Sequence, residues 1–325
     1  MKLLPTILGE VAKLEKVRTI ADPFSGSGRV SIALALEGYT VTASDYMLYA
    51  HCLADTYIGD GRLIPQNYRQ AIKEELEAAT PFHGFFTETY GVKSRFFSET
   101  NCRVVDGMLE KTKELELPNA AYNLAVTMII EAADKIDSTV GQQAAYLKQY
   151  APRAQKDLTL LDPVIAPVRG ESLHADCFDA LKDRRNDLVY LDPPYTHHAY
   201  AGMYHVWETI AQGDAPEVYG VACKRADTKE KKSPFNSKVK VKDAFNALLQ
   251  ACNSRYVMLS YNSEGLISYG DIMNILEQYF SDIRIVEVPH RRYVGSRIGV
   301  YNKEGVKVGE PTHHKCKEFL FVCTK

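Results

Sequence analysis

The spacing of apolar residues near the start of the chain predicts a strand, a tight turn and a helix. Residues 17–24 run apolar and break at Asp22 into a turn rich in glycine and serine. Residues 29–36 follow with helical propensity, and a second short strand ends at Asp45. This order is a βαβ unit, which predicts a parallel sheet with ligand chemistry at the carboxyl ends of its strands.

Between residues 46 and 165 the apolar spacing becomes helical, and alanine, glutamate and lysine become common. Helices are predicted over 66–79, 101–116 and 121–137. The sequence therefore predicts a helical insertion over 46–165, within an α/β domain formed by 1–45 and 166–325.

Beyond residue 165 strands and helices alternate again. Residues 172–176 and 187–191 have strand character, and the second strand leads into Asp192-Pro193-Pro194-Tyr195. The stretch 213–242 is predicted to be a loop because it carries glycine, proline and many lysines. The remaining predicted elements are helices near 243–252 and 268–280 and strands at 256–261, 283–288 and 318–323.

Composition places the chain among ordinary globular proteins. Of its 325 residues 46% are hydrophobic and 25% are charged, values that exclude disorder, collagen and coiled coil. No apolar run approaches the roughly 18 residues of a membrane span, and Met1-Lys2-Leu3-Leu4-Pro5 does not lead into a signal-peptide core. We therefore expect a soluble protein of the cytoplasm, with no membrane partner.

Cysteines, histidines and net charge narrow the chemistry further. The seven cysteines are odd in number, scattered and without a Cys-x-x-Cys pair, so we expect reduced, mostly buried thiols. The adjacent pairs His197-His198 and His313-His314 favour polar loops over a ligand set, and no metal is expected. The net charge of −2 gives no global attraction to nucleic acid, so any such binding requires a local basic patch.

The first motif that carries chemistry is the turn Asp22-Pro23-Phe24-Ser25-Gly26-Ser27-Gly28. Its glycines lack the Cβ that keeps backbone away from a ligand, although an ordinary strand-to-helix turn is an equal alternative. The spacing is not the dinucleotide fingerprint, whose third glycine is replaced by Ser31, and it is not a P-loop. Asp45 ends the next strand, where a carboxylate can accept both ribose hydroxyls of an adenosine; a surface or capping role is the alternative.

The second motif is Asp192-Pro193-Pro194-Tyr195. Its two prolines stop the strand and fix the backbone, so that a carboxylate, a carbonyl and an aromatic face converge at the edge of the sheet. The alternative is a rigid strand exit with a packing tyrosine. Leu161-Asp162-Pro163-Val164 begins in the same way but lacks the second proline and the aromatic ring, which indicates a turn.

Together the two motifs resemble motifs I and IV of the S-adenosylmethionine-dependent DNA adenine-N6 methyltransferases, in the Dam-like group in which motif I precedes motif IV. The resemblance extends from about Arg18 to Lys325 and includes Tyr200-x-x-x-Tyr204-His205-x-Trp207 and Ser260-Tyr261-Asn262. It implies a Rossmann-like, seven-stranded, mostly parallel sheet, S-adenosylmethionine as cofactor, and a target-recognition region inserted where 46–165 falls.

The resemblance also implies a cofactor-binding set. Its members are Asp22, Pro23, Phe24, Ser25, Gly26, Gly28, Asp45 and Asp176. Asp176 is expected at the adenine amine of the cofactor, with a solvated loop carboxylate as the alternative. The family's N-terminal motif X is absent, because only Lys2 and a helix-like segment precede the turn, so the methionine end of the cofactor is expected to be held differently.

Elementary chemistry agrees with a methyl transfer to adenine. The exocyclic nitrogen of adenine is a poor nucleophile because its lone pair is delocalised into the ring. Acceptors at the Asp192 carboxylate and the Pro193 carbonyl favour a tetrahedral, more nucleophilic nitrogen, and Tyr195 stacks on a base flipped out of the duplex. The sulfonium methyl is already electrophilic, so positioning supplies most of the rate.

The required basic patch lies in residues 224–242, where eight basic residues face two acidic ones and leave a surplus of six charges. Such a loop beside the second motif suits a phosphate backbone, and a solvated flexible loop is the alternative. The predicted DNA contacts are Lys231, Lys232, Lys238 and Lys240, with Arg291 and Arg292 as a second basic pair after a late strand.

The sequence therefore predicts a site-specific adenine-N6 methyltransferase of double-stranded DNA, either solitary, phage-borne or the modification enzyme of a restriction system with an endonuclease as functional partner. Methylation of cytosine N4, where the family usually places serine instead of Asp192, and of guanine N2 in RNA are the alternatives within the class. The alternative from another class is a non-catalytic DNA-binding subunit that keeps the fold. Intact Asp22, Asp45, Asp192 and Tyr195 argue against that subunit.

Overall fold

A computed structural model of the chain describes residues 3–139, 141–144, 149–291, 300–301, 307–309 and 315–325. Its helices are α1 (Leu4–Val11), α2 (Arg29–Leu36), α3 (Leu48–Tyr57), α4 (Gln66–Glu77), α5 (Glu99–Glu114), α6 (Asn119–Ile136), α7 (Cys177–Leu181), α8 (His205–Gln212), α9 (Val241–Ala251) and α10 (Tyr269–Leu276). Its strands are β1 (Thr19–Asp22), β2 (Thr40–Asp45), β3 (Arg169–His174), β4 (Asn186–Leu191), β5 (Val218–Tyr219), β6 (Lys224–Arg225), β7 (Ser254–Asn262), β8 (Asp282–Arg291), β9 (Val300–Tyr301), β10 (Lys307–Gly309) and β11 (Lys315–Thr324).

Within these residues seven strands form one sheet in the order β3-β2-β1-β4-β7-β11-β8. The pairs β2–β3, β1–β4 and β4–β7 are parallel, whereas β11 is antiparallel to both β7 and β8. The mixed α/β fold with a mostly parallel sheet, predicted from the βαβ pattern, is confirmed. Its parallel part matters for function because ligands bind at the carboxyl ends of parallel strands.

Packing divides the chain into two compact units. The first unit comprises Met1–Ala21, Leu181–His197 and Ser233–Lys325, and the second comprises Asp22–Ala180 and His198–Lys232. The second unit holds the segment 46–165 together with α2, β2, β3 and α8. The separate target-recognition role of 46–165 stays a prediction.

Helices dominate the second unit. The helices predicted over 66–79, 101–116 and 121–137 are α4, α5 and α6, with ends within two residues of the prediction. Helix α5 begins where the Ser98 hydroxyl accepts the Asn101 N–H, a standard N-cap. Helix α6 packs against α3, and nearly all its side chains from Leu124 to Ala133 are buried. The helix predicted from the apolar spacing of 121–137 therefore belongs to the core of this unit.

Buried strands dominate the first unit. Leu188, Val189, Tyr190 and Leu191 are all buried in β4, as expected for a strand covered on both faces. Strand β7 pairs with β4 on one side and β11 on the other, so it is also central. The predicted helices near 243–252 and 268–280 are α9 and α10, and α10 ends four residues early, at Leu276.

The stretch 213–242 is more ordered than the predicted loop. It contains the hairpin β5–β6, in which Gly220 supplies a turn residue at φ +68°, and short 3-10 turns at Ala226–Lys229 and Pro234–Asn236. A composition rich in lysine and glycine gave no hint of this order, because the side chain that anchors the hairpin is a buried arginine, Arg225.

Two further expectations concern thiols and membranes. All seven cysteines are buried free thiols, which confirms that reading of the sequence. In the part of the chain that the structure describes, no helix combines the length and apolarity needed to cross a membrane.

Candidate active site

The turn after β1 depends on two glycines in the left-handed region. Gly26 has φ +51° and Gly28 has φ +70°, backbone conformations that residues other than glycine rarely adopt. The Gly28 N–H donates to the Ser25 carbonyl over 2.8 Å, and the Ser25 N–H donates to the Ser44 carbonyl over 3.0 Å. Helix α2 starts directly after Gly28. The sequence motif therefore forms a closed turn at a helix N-terminus, the kind of backbone that binds polar ligands.

Asp22 fixes this turn from below. Its side chain is buried, and its carboxylate accepts the Ser31 hydroxyl over 2.6 Å and the Phe24 N–H over 3.4 Å. Burial raises the pKa of Asp22 to about 6, opposed by these hydrogen bonds. Asp22 is predicted to bind cofactor; its partners in the structure are the turn and α2, and its role toward a cofactor stays a prediction.

Asp45 reaches the turn from the end of β2. Its carboxylate accepts the Gly26 N–H over 3.0 Å and the Met47 N–H over 2.9 Å. Burial raises the pKa of Asp45 to about 6, and the negative charge of Glu208 adds to the rise. A carboxylate has about four acceptor positions, and the N–H groups of Gly26, Tyr46 and Met47 all hydrogen-bond Asp45, so it keeps acceptor capacity for a ligand hydroxyl.

Asp176 lies at the same edge of the sheet. The register of the parallel strands β2 and β3 places Asp45 opposite His174, two residues before Asp176. The Asp176 side chain is exposed, and its carboxylate accepts the Phe178 N–H over 2.9 Å at the start of α7. Asp176 therefore caps a helix in this structure, and its role toward a cofactor stays a prediction.

Two serines beside the turn carry unsatisfied hydroxyl groups. Ser25 and Ser44 are buried, and their Oγ atoms have no hydrogen-bond partner among the described residues. Buried polar atoms are rarely left unpaired in native proteins unless a water or ligand pairs with them. With the open backbone at Gly26 and the remaining acceptor capacity of Asp45, the turn fits a polar, hydroxyl-bearing ligand such as an adenosine.

The second motif leaves β4 beside β7. Leu191, the last residue of β4, pairs with Leu259 of β7. Pro193 and Pro194 are buried, whereas Asp192 and Tyr195 are only partly buried. The Tyr195 carbonyl accepts the Leu266 N–H over 3.0 Å, which ties the motif to the turn that follows β7. The prolines therefore stop the strand as predicted and leave a carboxylate and an aromatic ring partly open to solvent.

The Tyr195 ring rests on a chain of aromatic rings. It meets the buried Tyr261 ring edge to face, with centroids 6.1 Å apart and planes at 70°. Tyr261 meets Phe245 in the same way at 5.7 Å, and Phe245 meets Phe235 at 5.9 Å. Edge-to-face pairs are a preferred aromatic geometry, so this cluster supports the Tyr195 ring from one side.

The lysine-rich stretch carries less free charge than its sequence suggests. Arg225 is buried and forms ion pairs with Asp214 and Asp227. Lys231 pairs with Asp227 and with the buried carboxylate of Glu208, and Lys242 pairs with Asp271. Three of these carboxylates, those of Asp214, Glu208 and Asp271, lie outside 224–242, so the surplus falls from six charges to three.

The structure describes four of the other five predicted DNA contacts. Lys232, Lys238 and Lys240 are exposed. Lys238 and Lys240 follow a segment that the Asn236 amide ties to the Thr196 carbonyl over 2.7 Å, directly after Tyr195. Arg291 ends β8, and Arg292 lies outside the described residues.

The structure adds residues that sequence reasoning missed. Glu208 is 2% exposed, accepts the Tyr49 N–H over 3.2 Å and raises the pKa of Asp45. A glutamate inside the short segment 206–211, which is otherwise mostly apolar in sequence, was the available signal. Gly265 was also missed, because nothing in the sequence shows that its backbone lies against the Tyr261 ring.

The sequence predicts no metal site. Among the described residues no group of three histidine, cysteine, aspartate or glutamate side chains is arranged to hold a metal ion. His313 and His314 lie outside the described residues.

Comparison with known proteins decides the class. Residues 1–275 match the family described as D12 class N6 adenine-specific DNA methyltransferase. The chain belongs to this family. As a D12 class methyltransferase it is an enzyme that methylates adenine N6 in DNA with S-adenosylmethionine as methyl donor. The cytosine-N4, RNA and non-catalytic alternatives are thereby set aside.

Type II methyltransferases are similar along most of the chain. The Type II methyltransferase M.NlaIII of Neisseria lactamica is 27% identical over 313 residues, covering 93% of this chain and 92% of that protein. M.FokI of Planomicrobium okeanokoites is 31% identical over 296 residues, which cover 84% of this chain but 45% of M.FokI. The modification methylase StsI of Streptococcus sanguinis is 29% identical and is covered over 43% of its length. This chain thus spans less than half of the last two proteins.

Among solved structures, magnesium protoporphyrin IX methyltransferase of Synechocystis PCC 6803, solved with bound SAM, aligns with a TM-score of 0.34. Its sequence is 10% identical, and the alignment covers 99% of this chain and 77% of that chain. This likeness is too small to bear on the function of the D12 class methyltransferase.

Proposed function

We propose that the closed turn of the second unit binds S-adenosylmethionine and that Asp192 and Tyr195 of the first unit bind the target adenine. The observation that carries the proposal is the exit of β4, where two buried prolines present a carboxylate and an aromatic ring supported from behind. Asp192 accepts an N–H of the adenine amine together with the Pro193 carbonyl, which raises the nucleophilicity of the nitrogen. Tyr195 stacks on the flipped base.

The cofactor arm of the proposal assigns each residue of the turn a task. Gly26 and Gly28 keep the backbone close to the ligand, and Asp22 holds the turn from below. Asp45 accepts the ribose hydroxyls through its remaining acceptor capacity. Asp176 accepts the adenine amine. The cofactor supplies an electrophilic methyl group, so the chain needs only to position it and exclude water.

The pKa of Asp45 makes this arm testable by pH. Cofactor affinity is expected to fall as pH drops through about 6, because protonation removes acceptor capacity from Asp45. Calorimetry on the wild type and Asp45→Asn from about pH 5 to pH 8 should show a steeper loss in the wild type. Asp22 also has a pKa of about 6, and the Asp45 charge contributes to its rise, so in Asp45→Asn the pKa of Asp22 is lower and the remaining acid loss of affinity should move to lower pH.

The free energy of unfolding provides a control, because protonation of Asp45 is expected to change it in the opposite direction from cofactor affinity. The pKa of Asp45 in the folded protein lies above its ordinary value of 3.8, so the folded state takes up the proton first as pH falls. Between about 6 and 3.8 the Asp45 contribution to the unfolding free energy of cofactor-free protein therefore grows on acidification. Parallel pH profiles of cofactor affinity in the two proteins would remove Asp45 from the ribose site.

The DNA arm rests on exposed lysines near the second motif. Lys238 and Lys240 are exposed, and their segment is tied to Thr196, next to Tyr195. They bind phosphates of double-stranded DNA, as does the exposed Lys232. Lys231 contributes less, because it already pairs with Asp227 and Glu208. Arg291 and Arg292 are proposed as a further basic pair that contacts DNA.

A salt titration tests these lysines. The double variant Lys238→Gln/Lys240→Gln should flatten the slope of log affinity against log salt by about 1.8, since each lost phosphate contact removes about 0.9. The control is Lys182→Gln/Arg185→Gln, which removes the same charge from exposed residues between α7 and β4, at the amino end of that strand. Equal slopes for the two double variants would exclude contacts at Lys238 and Lys240.

The relatives support a proposal for the biological setting. Several are modification methylases or Type II methyltransferases, and one, M.CviAII of Paramecium bursaria Chlorella virus 1, is viral. We therefore place this enzyme on DNA in the cytoplasm of a bacterial or phage-infected cell, as the modification arm of a restriction system with an endonuclease as functional partner. The helices of 46–165 supply target recognition beside the catalytic domain of 1–45 and 166–325.

A further inference from the structure

The prolines of the second motif fix the backbone of Tyr195 but not its ring. A tyrosine side chain has two rotatable bonds, and a ring that stacks on an extruded base must be held at the right angle before the base arrives. Tyr195 therefore needs support from elsewhere in the chain. Its ring contacts Tyr261 edge to face at 6.1 Å.

Tyr261 is itself held rigidly. Its side chain is 1% exposed, and its hydroxyl oxygen accepts the Ile267 N–H over 3.2 Å. The Phe245 ring stands perpendicular to it at 5.7 Å. Its backbone pairs with Phe319 in the sheet. A ring confined on these sides cannot rotate away without disturbing Tyr195.

Gly265 closes the remaining side of the Tyr261 ring. A Cβ built on Gly265 would lie 2.2 Å from Tyr261 Cε1, 2.7 Å from Cζ and 2.9 Å from the hydroxyl oxygen. Carbon atoms in contact need about 3.5 Å, so even alanine would push the ring or the turn by more than about 1 Å. Glycine is required here by space, since its φ is not in the left-handed region.

The same turn also holds the backbone of Tyr195. Leu266, the next residue, donates its N–H to the Tyr195 carbonyl over 3.0 Å. Residues 265–267 therefore contact Tyr195 through its backbone and, by way of Tyr261, through its ring. Their three contacts are the Gly265 backbone on the ring, the Leu266 N–H and the Ile267 N–H.

We propose that Tyr261 and Gly265 are positioning residues for methyl transfer, which hold the Tyr195 ring at the angle that receives the flipped adenine. The inference rests on the proposed stacking role of Tyr195. Neither residue touches the adenine in this account. A displacement of about 1 Å near a reacting group can cost about 10²-fold in rate, so a small shift of the Tyr261 ring has a large consequence.

The decisive variant is Gly265→Ala, with Gly270→Ala as its matched control. Gly270 lies five residues further on in α10, is exposed, and a Cβ there meets nothing within 4 Å. The duplex for the assay carries 2-aminopurine at the target adenine of the recognition sequence, which is read from modified bases in DNA of expressing cells. Single-turnover methyl transfer on the unlabelled duplex, 2-aminopurine fluorescence, cofactor affinity and thermal midpoint are measured for each protein.

We expect Gly265→Ala to lower the single-turnover rate constant by about 10²-fold and to reduce the fluorescence rise, with cofactor affinity unchanged. Gly270→Ala should match the wild type in rate, fluorescence and cofactor affinity, and its thermal midpoint should be no lower, because alanine favours a helix more than glycine does. Wild-type rate and fluorescence in Gly265→Ala overturn the proposal. So does a thermal midpoint loss accompanied by equal losses in cofactor affinity and rate, because Gly265 would then serve only stability.

A double-mutant cycle isolates the ring. Tyr261→Leu removes the three atoms that the new Cβ would strike, so Gly265→Ala in that background should cause no further loss. Additive losses would show that Gly265 acts independently of Tyr261 and would overturn the proposal. If Gly265→Ala does not fold, Tyr261→Phe serves instead. It keeps the ring but loses the acceptor for Ile267, and about a fivefold slower transfer is expected, against a wild-type rate as the contrary result.

Tyr195→Ala separates this proposal from the one beneath it. If Tyr195→Ala flips and methylates the target normally, the stacking role of Tyr195 is wrong, whatever Gly265→Ala does. If Tyr195→Ala is impaired while Gly265→Ala is normal, Tyr195 stacks on the base without help from Tyr261. Impairment in both, with cofactor binding intact, is the expected result.

Discussion

Replacing Asp192 with alanine is expected to slow methyl transfer by at least about 10²-fold while cofactor affinity stays unchanged. The carboxylate follows β4 directly and remains partly open to solvent, as a group that meets substrate must. It matters most as the adenine nitrogen becomes tetrahedral, so its loss appears in turnover. Removal of one preorganised polar group costs about 10²- to 10³-fold in comparable enzymes. Single-turnover kinetics with labelled methyl donor measure the effect.

The chain contains its own control for this substitution. Asp162 also precedes a proline, but its carboxylate pairs with Arg69 and no second proline or aromatic ring follows. Asp162→Ala should methylate at nearly the wild-type rate, because the partly buried Asp162–Arg69 ion pair contributes to stability and not to the binding of the target base. Equal rates in the two alanine variants would show that Asp192 is not the acceptor.

The second large effect is expected at Gly28. Gly28→Val should lower the affinity for S-adenosylmethionine by at least about 10²-fold, because the substitution opens the turn. Valine is strongly disfavoured at φ +70°, and a Cβ there already lies 3.5 Å from Ile32 and 3.9 Å from the backbone of Ala54, which leaves no room for γ-carbons. Two lost hydrogen bonds of about 1.5 kcal/mol each account for that loss of affinity.

The matched control is Gly38→Val. Gly38 has φ +94°, so valine meets comparable backbone strain there, but a Cβ at Gly38 meets nothing within 4 Å and the residue follows α2. Both variants should lose stability, and Gly28→Val alone should lose cofactor affinity in calorimetry. A folded Gly28→Val protein with wild-type affinity would place the cofactor elsewhere.

Local features of the chain made both motifs predictable. Gly26, Gly28 and the two prolines act on their own backbone, so their conformations follow from residue type. The order of strand, turn, helix and strand then indicates a parallel sheet, and the motifs follow its strands. The apolar spacing of α6 predicted a helix for a similar reason, because residues three and four positions apart lie on the same face of a helix.

What the sequence did not show depends on side-chain contacts that form only in the folded chain. Arg225 lies only 11 residues from Asp214 in the sequence. Its burial nevertheless depends on that ion pair and on a hairpin that composition did not indicate. Lys231 counts as a free charge until Glu208, 23 residues earlier, is seen beside it. Gly265 is an unremarkable loop glycine until the Tyr261 ring is placed against it. Charge counts therefore overestimated the free basic surface and missed the support of Tyr195.

The most direct test of the account is the chemical identity of the methylated nucleoside. Duplex DNA incubated with this protein and methyl-labelled S-adenosylmethionine is digested to nucleosides and separated. The account predicts label in N6-methyldeoxyadenosine alone, and its loss with Asp192→Ala although that variant still binds cofactor. Label in N4-methyldeoxycytidine, or undiminished N6-methyldeoxyadenosine from Asp192→Ala, would contradict it.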